Sequence, residues 1–257
     1  GPNDEVVLPS FTFSSTANAV ALRGARLRFA DIDPGTWTME AAQVAAALDR
    51  SSLAADSLER PRARRAGQST GSIGRPGGLL TMSYGGVTRD PASFQALANE
   101  HDLCWIDDNA HGLFAAFNGR PLGTSAPLAC LSFHNTKNIS CGEGGALIVR
   151  PDRSDLFARA QILREKGTDR SRFRRGEVDK YTWQEPGSSY LPSDLLAALL
   201  LGQLEDAERS QSGRHRVWSI YREILAPRAD ELGFRLQEIP AGLTHPAHVF
   251  GLLVPEH

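Results

Sequence analysis

The stretch GLLTMSYGGVTRDPASFQALANEHDLCWIDD, residues 78–108, contains the alternation that decides the fold. Its two apolar runs, residues 78–86 and 103–108, predict strands because they are short and bounded by turn-forming residues. The residues between them, 90–102, predict a helix. A strand, a helix and a second strand in succession are typical of a right-handed crossover in a parallel sheet.

The same alternation continues on both sides of this unit. Further strands are predicted over residues 5–10, 25–33, 129–133 and 145–150, and helices over residues 12–24, 38–49, 154–167 and from 193 onward. Ser193 is the predicted N-cap of the last helix, whose leucines form a broad apolar face typical of a core or a subunit interface. The sequence therefore predicts an α/β domain with a mostly parallel sheet flanked by helices.

Composition argues against several kinds of protein. The 28 basic and 30 acidic residues leave a formal net charge of −2, so we expect no nucleic-acid partner. No run approaches the roughly 20 apolar residues of a membrane span, and residues 1–10 lack signal-peptide features. We therefore expect a soluble, cytoplasmic protein without a membrane partner. Cys104, Cys130 and Cys141 are widely spaced among apolar or small residues, which indicates free thiols and no metal site.

One segment departs from this pattern. Residues 50–78 combine six arginines with Gly, Ser and Pro and have no sustained hydrophobic period. Loops inside a compact domain rarely exceed about 12 to 15 residues. Three interpretations remain for this insertion: a mobile surface loop, a basic lid that binds anions, or a sequence irregularity without function.

Polar side chains lie where three of the predicted strands end. They fall within residues 11–15, 107–111 and 132–137. Because ligands bind at the carboxyl ends of the strands in open parallel sheets, these groups are the first candidates for a functional site.

Lys137 is the most distinctive residue among them. Most lysines are solvated surface groups. Lys137 follows an apolar strand, however, and Ser132, His134 and Thr136 crowd the same turn. If it is shielded from water, its amine is partly neutral and can form a Schiff base with an aldehyde. The residues alone leave both interpretations open.

The acid pair Asp107 and Asp108 directly follows a predicted strand. Neighbouring side chains of a strand point to opposite faces, so at most one of the two acids can face a given site. Either this pair is a solvated strand end, or one carboxylate is directed at a cationic ring nitrogen, with His111 on the following turn.

Two further features could hold other parts of a cofactor. Ser132 and the run CGEGG, residues 141–145, could present hydroxyl and backbone N–H donors to a phosphate. Phe11 and Phe13, near the end of the first strand, could cover a planar cofactor, although an apolar pair with this spacing is also common in a core.

Several ordered motifs together resemble a known family. These are PSFTFSSTANAVALRGARLRFADID (9–33), WIDDNAHG (105–112), NGRPLGT (118–124), LSFHNTKNISCGEGGALIV (131–149) and REKGTDRSRFRRGEVDKYTWQEPGSSYLPSDLLAALLLGQLE (164–205). They resemble the DegT/StrS-type pyridoxal-phosphate-dependent sugar aminotransferases, which have the fold-type I aminotransferase fold. The last motif is similar to the branch of dTDP-4-amino-4,6-dideoxygalactose transaminases.

The resemblance implies a role for three of the candidate residues. Lys137 matches the lysine that bonds covalently to pyridoxal phosphate. Asp108 matches the acid that keeps the pyridine nitrogen protonated, and His111 matches a residue near the phenolic oxygen of the cofactor.

It also implies a phosphate site and a dimer. Ser132 matches the residue that binds the phosphate, and Phe13 matches the aromatic side chain that stacks on the ring. Ser189, where many members have asparagine, lies in the segment that reaches the phosphate of a neighbouring subunit. The implied oligomer is a homodimer with shared active sites.

The implied reaction moves an amino group from glutamate to a 4-keto-6-deoxy nucleotide sugar of the dTDP-4-keto-6-deoxyglucose type, in surface polysaccharide or amino-sugar biosynthesis. By the family pattern, residues 1–225 belong to the cofactor-binding large domain and residues 226–257 begin a small C-terminal domain, and we expect the chain to be incomplete at both ends.

Two alternative functions stay open. The first is a pyridoxal-phosphate-dependent sugar dehydratase, against which Lys137 argues because such relatives have histidine at this position. The second is a fragment that acts only as a binding or assembly partner.

Overall fold

The structure, a computed structural model, describes residues 1–2, 4–49 and 76–255. Its first half contains β1 (Glu5–Pro9), α1 (Ser14–Ala21), β2 (Arg26–Ala30), α2 (Ala41–Asp49), β3 (Gly78–Met82), α3 (Pro91–Glu100), β4 (Cys104–Asp108), β5 (Ala116–Phe117), β6 (Arg120–Pro121), β7 (Leu128–Ser132) and β8 (Gly145–Val149). Its second half contains α4 (Ser154–Arg164), α5 (Arg170–Arg174), α6 (Asp194–Glu205), α7 (Ala207–Leu225), α8 (Ala229–Leu232), β9 (Arg235–Leu236), β10 (Leu243–Thr244) and β11 (Leu252–Leu253).

The main sheet has six strands in the order β2-β1-β3-β4-β7-β8. All neighbours are parallel except β7 and β8, which pair antiparallel at one edge. The predicted α/β fold with a mostly parallel sheet is therefore confirmed. In this register Asp108 lies between Met82 of β3 and Cys130 of β7, so the ends of three strands meet at one edge.

The core lies between this sheet and the helices α2 and α3. Leu79 and Trp105 are almost completely buried there, together with Val44 of α2 and Phe94 of α3. Each such side chain contributes about 1.5 to 3 kcal/mol when it is removed from water. Helix α3 begins where Asp90 accepts a hydrogen bond from the Ala92 amide (2.9 Å), immediately before Pro91 at the first turn.

Two strands end three or more residues earlier than predicted, and turn chemistry explains both. Strand β2 ends at Ala30 because the Asp33 carboxylate accepts from the amides of Gly35 (3.0 Å) and Thr36 (2.8 Å) and closes a turn. Strand β3 ends at Met82 because residues 84–86 form a 3-10 turn with Gly85 and Gly86 at positive φ.

The C-terminal part packs on the sheet through α6. Ser193 is the N-cap of this helix, as predicted, since its Oγ accepts from the Leu196 amide (3.4 Å). Leu196 and Leu200 pack against a small cluster around Phe133, whereas Leu195 on the same helix is 83% exposed. This helix therefore has one covered and one open apolar face.

The predicted domain boundary at residues 225 and 226 stays a prediction. Strand β10, which lies beyond it, pairs with β5 inside the first predicted domain. Of the predicted insertion, residues 50–75 lie outside the described residues, and Gly78 is already the first residue of β3. None of the helices in the described ranges combines the length and apolar character needed to cross a bilayer.

Candidate active site

Asp108 ends β4 and is fixed from two sides. The Thr16 hydroxyl of α1 donates to its Oδ2 (2.7 Å), and the backbone amide of Ala110 donates to its Oδ1 (3.1 Å). Thr16 is itself paired with the Thr12 hydroxyl (2.7 Å). The carboxylate therefore has a set orientation, while each oxygen keeps acceptor capacity for one more donor.

The neighbouring acid, Asp107, has different surroundings. Its Oδ1 accepts from the Thr81 hydroxyl (2.7 Å), and Thr81 in turn accepts from the Trp105 indole N–H (3.0 Å). Burial raises the pKa of Asp107 to about 6, the Thr81 bond opposes this shift, and the charge of Asp108 adds to it. The two acids have separate partners, in agreement with the expected alternation along a strand.

His111 is a neutral hydrogen-bond donor. The Gly85 amide donates to its Nδ1 (3.1 Å), so the ring proton resides on Nε2. Its ring lies 5.0 Å from that of Tyr84 and 4.4 Å from that of His248, measured between centroids. Burial lowers the pKa of His111 to about 3, with smaller contributions from the charges of His248 and Lys137. The imidazole is therefore uncharged throughout the physiological pH range.

Lys137 lies in the loop after β7, half-buried beside these groups. Its backbone amide donates to the His134 carbonyl (2.9 Å), which closes a turn. Burial lowers the pKa of the Lys137 amine, and the negative charge of Asp108 partly opposes that shift. The same amine acts electrostatically on His111 and His248. Lys137, Asp108 and His111 are thus brought together as a group.

Ser132 ends β7 next to the glycine-rich run. Its Oγ accepts from the His134 amide (3.3 Å), so its hydroxyl proton is available to another acceptor. It pairs with Gly145 at the start of β8, and a Cβ on Gly144 would lie 2.6 Å from the Cys141 sulfur. The compact glycine turn therefore folds against the end of β7.

The other two predicted site residues, Phe13 and Ser189, are both exposed. Phe13 precedes α1, three residues before Thr16, and the residue is 68% exposed. Ser189 is exposed and forms a β-bridge with Glu165. Among the described residues, no hydrogen bond joins Ser189 to Asp108 or Lys137, and its predicted role stays a prediction.

Three residues around the site were missed by the reasoning from sequence. Thr16 holds Asp108, and Asn138 and His248 are hydrogen-bonded to each other (2.7 Å) next to Lys137. The repeated histidine of THPAHVF, residues 244–250, was the only signal that could have pointed to His248.

This set of side chains fits pyridoxal phosphate by its donor and acceptor chemistry. The half-buried amine of Lys137 suits an aldehyde, and the oriented carboxylate of Asp108 suits a protonated ring nitrogen. The free N–H of His111 suits a phenolic oxygen, and the free hydroxyl of Ser132 suits a phosphate.

Curated proteins with similar sequences include an enzyme named for an amino-sugar product. The chain is 30% identical over 250 residues to GDP-perosamine synthase of Caulobacter vibrioides, an alignment that covers 97% of this chain and 57% of that protein. The chain spans less than three fifths of the length of the curated relatives it matches, between 57% and 59% in three cases.

The chain is also similar to several solved structures. The aminotransferase TlmJ of Streptoalloteichus hindustanus superposes with a TM-score of 0.77 at 26% identity, over 98% of this chain and 59% of that one. DesI, solved in the presence of its TDP-sugar product, superposes with a TM-score of 0.76 at 27% identity, over 99% of this chain and 55% of that one. The fold is therefore that of the fold-type I aminotransferases.

The sequence model of the DegT/DnrJ/EryC1/StrS aminotransferase family matches residues 1–257. The predicted family and the predicted cofactor are both confirmed: the chain belongs to the DegT/DnrJ/EryC1/StrS aminotransferase family, and its cofactor is pyridoxal phosphate.

Proposed function

We propose that this chain transfers an amino group from glutamate to a 4-keto-6-deoxy sugar carried on a nucleotide, of the dTDP-4-keto-6-deoxyglucose type. The observation that carries this proposal is the half-buried amine of Lys137, which has a lowered pKa and lies in one group with Asp108 and His111. The similarity to DesI, solved with a TDP-sugar product, supports a nucleotide-sugar substrate. The similarity to GDP-perosamine synthase supports the same substrate class.

Bound pyridoxal phosphate supplies an electron sink for the carbon that carries the amine. Asp108 would accept the N–H of the ring nitrogen, in an orientation that Thr16 and Ala110 fix. The negative charge of this carboxylate favours a proton on the nitrogen, as the electron sink requires.

Lys137 has two tasks at one atom. With the cofactor bound, its Nζ would bond the aldehyde carbon while the aldehyde oxygen leaves as water, and this would require the neutral amine that burial favours. When it is not bonded to the cofactor, the same Nζ would hold and move a proton, as a general base and then as a general acid. A lowered pKa serves both tasks, because it brings the amine closer to the pH at which it works.

The remaining predicted residues position the cofactor. In the proposal the Ser132 hydroxyl donates to the phosphate, and the exposed Phe13 ring stacks on the pyridine ring. His111 donates its Nε2–H to the phenolic oxygen.

A cytoplasmic homodimer is part of the proposal, with a role in surface polysaccharide biosynthesis. Ser189 then reaches the phosphate held by the partner subunit. The open apolar face of α6, which includes Leu195 (83% exposed) and Leu199 (51% exposed), supports a subunit interface.

The test uses the three lysines of the chain, Lys137, Lys166 and Lys180. The protein is saturated with pyridoxal phosphate, reduced with borohydride and digested, and each lysine peptide is weighed by mass spectrometry. We expect the pyridoxyl group on Lys137 only, its loss in Lys137→Ala, and full labelling in the control Lys166→Ala. An equal distribution over the three lysines, or no label at saturating cofactor, contradicts the proposal and favours a role in binding or assembly.

A second measurement tests the reaction. Unlabelled protein is incubated with cofactor, [15N]glutamate and dTDP-4-keto-6-deoxyglucose, and the sugar product is analysed for the isotope. We expect one 15N atom per product molecule. A product that has lost a hydroxyl without gaining nitrogen would identify the dehydratase reaction instead.

A further inference from the structure

Asn138, the residue after Lys137, determines which nitrogen of His248 carries a proton. Its buried Nδ2 donates to the Pro246 carbonyl (2.7 Å) and to Gln211 Oε1 (3.1 Å). Both amide protons are therefore used, and Oδ1 can only accept. His248 Nδ1 lies 2.7 Å from this oxygen, so it must be the donor, and Nε2 keeps its lone pair.

His248 is held in this neutral form by its surroundings. Burial lowers the pKa of His248 to about 4, and the positive charges of Lys137 and Arg214 add to the effect. The other titratable groups next to it, His111 and His245, also have pKa values lowered by burial and are neutral. At neutral pH His248 is consequently an uncharged acceptor.

The two histidines beside Lys137 have opposite hydrogen-bonding characters. His111 accepts at Nδ1 from Gly85 and offers Nε2–H, whereas His248 donates at Nδ1 to Asn138 and offers a lone pair at Nε2. Their ring centroids are 4.4 Å apart. One imidazole therefore supplies a donor and the other an acceptor to the same small region.

A neutral acceptor suits a lysine that must lose its proton. A carboxylate in the position of His248 would stabilise the ammonium form of Lys137 and raise the pKa of its amine. An imidazole lone pair can accept an N–H of the neutral amine without this penalty. Arg214 also fixes the backbone here, because its guanidinium donates to the Lys137 carbonyl (3.4 Å).

We propose that His248 is a positioning residue of the proposed active site, which acts through Lys137: Asn138 sets its tautomer, and its Nε2 offers the lysine amine a neutral hydrogen-bond acceptor. This inference rests on the proposed function of Lys137. It concerns side chains of this chain and can be measured before cofactor is added.

The tautomer is tested first, on the unaltered full chain. Nitrogen-15 NMR of the histidine side chains at pH 7, assigned by the signal lost in His248→Gln, should show His248 protonated at Nδ1 and unprotonated at Nε2. A proton on Nε2 at pH 7 overturns the proposal, and the tautomer itself is measured on the unaltered chain.

The effect on Lys137 is tested by competitive acetylation as a function of pH. The exposed Lys166 and Lys180 serve as references in the same sample. We expect a lower titration midpoint for Lys137 than for the references, little change in His248→Gln, which retains a neutral acceptor, and a rise of about 1 pH unit or more in His248→Glu. An unchanged Lys137 midpoint in folded His248→Glu overturns the proposal. Failure of the proposed function has a different signature, the absence of a cofactor adduct on Lys137 after borohydride treatment.

Discussion

The hydrogen bond from Thr16 to Asp108 gives the sharpest prediction about the site. Thr16 is 4% exposed, and its hydroxyl lies 2.7 Å from a half-buried carboxylate oxygen. Thr16→Val keeps the shape of the side chain, so the change removes the hydrogen bonds to Asp108 and to the Thr12 hydroxyl without opening a cavity. Hydrogen bonds to charged groups contribute about 1.5 to 3 kcal/mol. Because Asp108 is only half-buried, we expect the free energy of unfolding to fall by about 2 kcal/mol.

Urea unfolding followed by circular dichroism at pH 7 measures this change. With a slope of about 2 kcal/mol per molar urea, the midpoint should fall by about 1 M. The exposed neighbour Ser15 provides a matched control on the same helix, and Ser15→Ala should change stability by less than about 0.5 kcal/mol.

A double-mutant cycle separates the hydrogen bond from other effects of the substitution. In the Asp108→Ala background the Thr16→Val change loses only the hydrogen bond with the partly exposed Thr12 hydroxyl, so its cost should fall to about 0.5 kcal/mol. The resulting coupling energy is then about 1.5 kcal/mol or more. A coupling energy near zero would refute the assignment of Thr16 as the residue that holds Asp108. If Asp108 binds the ring nitrogen, Thr16→Val should also weaken pyridoxal phosphate binding by roughly tenfold, the equivalent of about 1.4 kcal/mol.

Two further predictions concern stability around the site. Burial raises the pKa of Asp107 to about 6 from an ordinary value of 3.8, so between these pH values the folded state binds more protons than the unfolded state, and the free energy of unfolding falls as pH rises. In urea titrations between pH 4 and pH 7, the free energy of unfolding of Asp107→Asn should therefore rise by up to about 3 kcal/mol relative to that of the unaltered chain. An equal pH dependence of both proteins would show that Asp107 titrates normally. Gly86→Ala should lower the free energy of unfolding by at least about 2 kcal/mol more than Gly119→Ala. Both glycines have positive φ (81° and 77°), but only at Gly86 would the new Cβ meet a neighbour, 2.1 Å from Pro246 Cγ. Equal melting temperatures of the two variants would refute this close approach.

The part of the site that sequence predicts best comes from the sheet. Asp108 and Ser132 each follow an apolar strand, and adjacent strands β4 and β7 are parallel, so the ends meet at one edge by geometry alone. Lys137 follows five residues later, within the reach of a short loop. The alternation along β4 likewise anticipated that Asp107 and Asp108 would have separate surroundings.

The residues that sequence did not reveal depend on contacts between distant segments. Thr16 is 92 residues from Asp108, and nothing in the run FTFSST distinguishes an acid-binding hydroxyl from a helix cap. Asn138 follows the conspicuous Lys137, yet its role requires a partner 110 residues away. Local patterns cannot specify such pairs, because helix α7 and the segment after it must first pack against the loop. The strand ends at Ala30 and Met82 were missed for a simpler reason, the turn chemistry of Asp33 and of Gly85 with Gly86.

The span of the Asn138 hydrogen bonds also sets an order of events during protein synthesis. Asn138 bonds to Pro246 and His248, 108 and 110 residues later in the chain. All six strands of the main sheet have left the ribosome by the time residue 149 has emerged, so the sheet can begin to assemble while the partners of Asn138 do not yet exist. The surroundings of Lys137 therefore mature after the sheet, and a nascent chain halted before residue 246 would carry Lys137 without Pro246 and His248, which complete its surroundings.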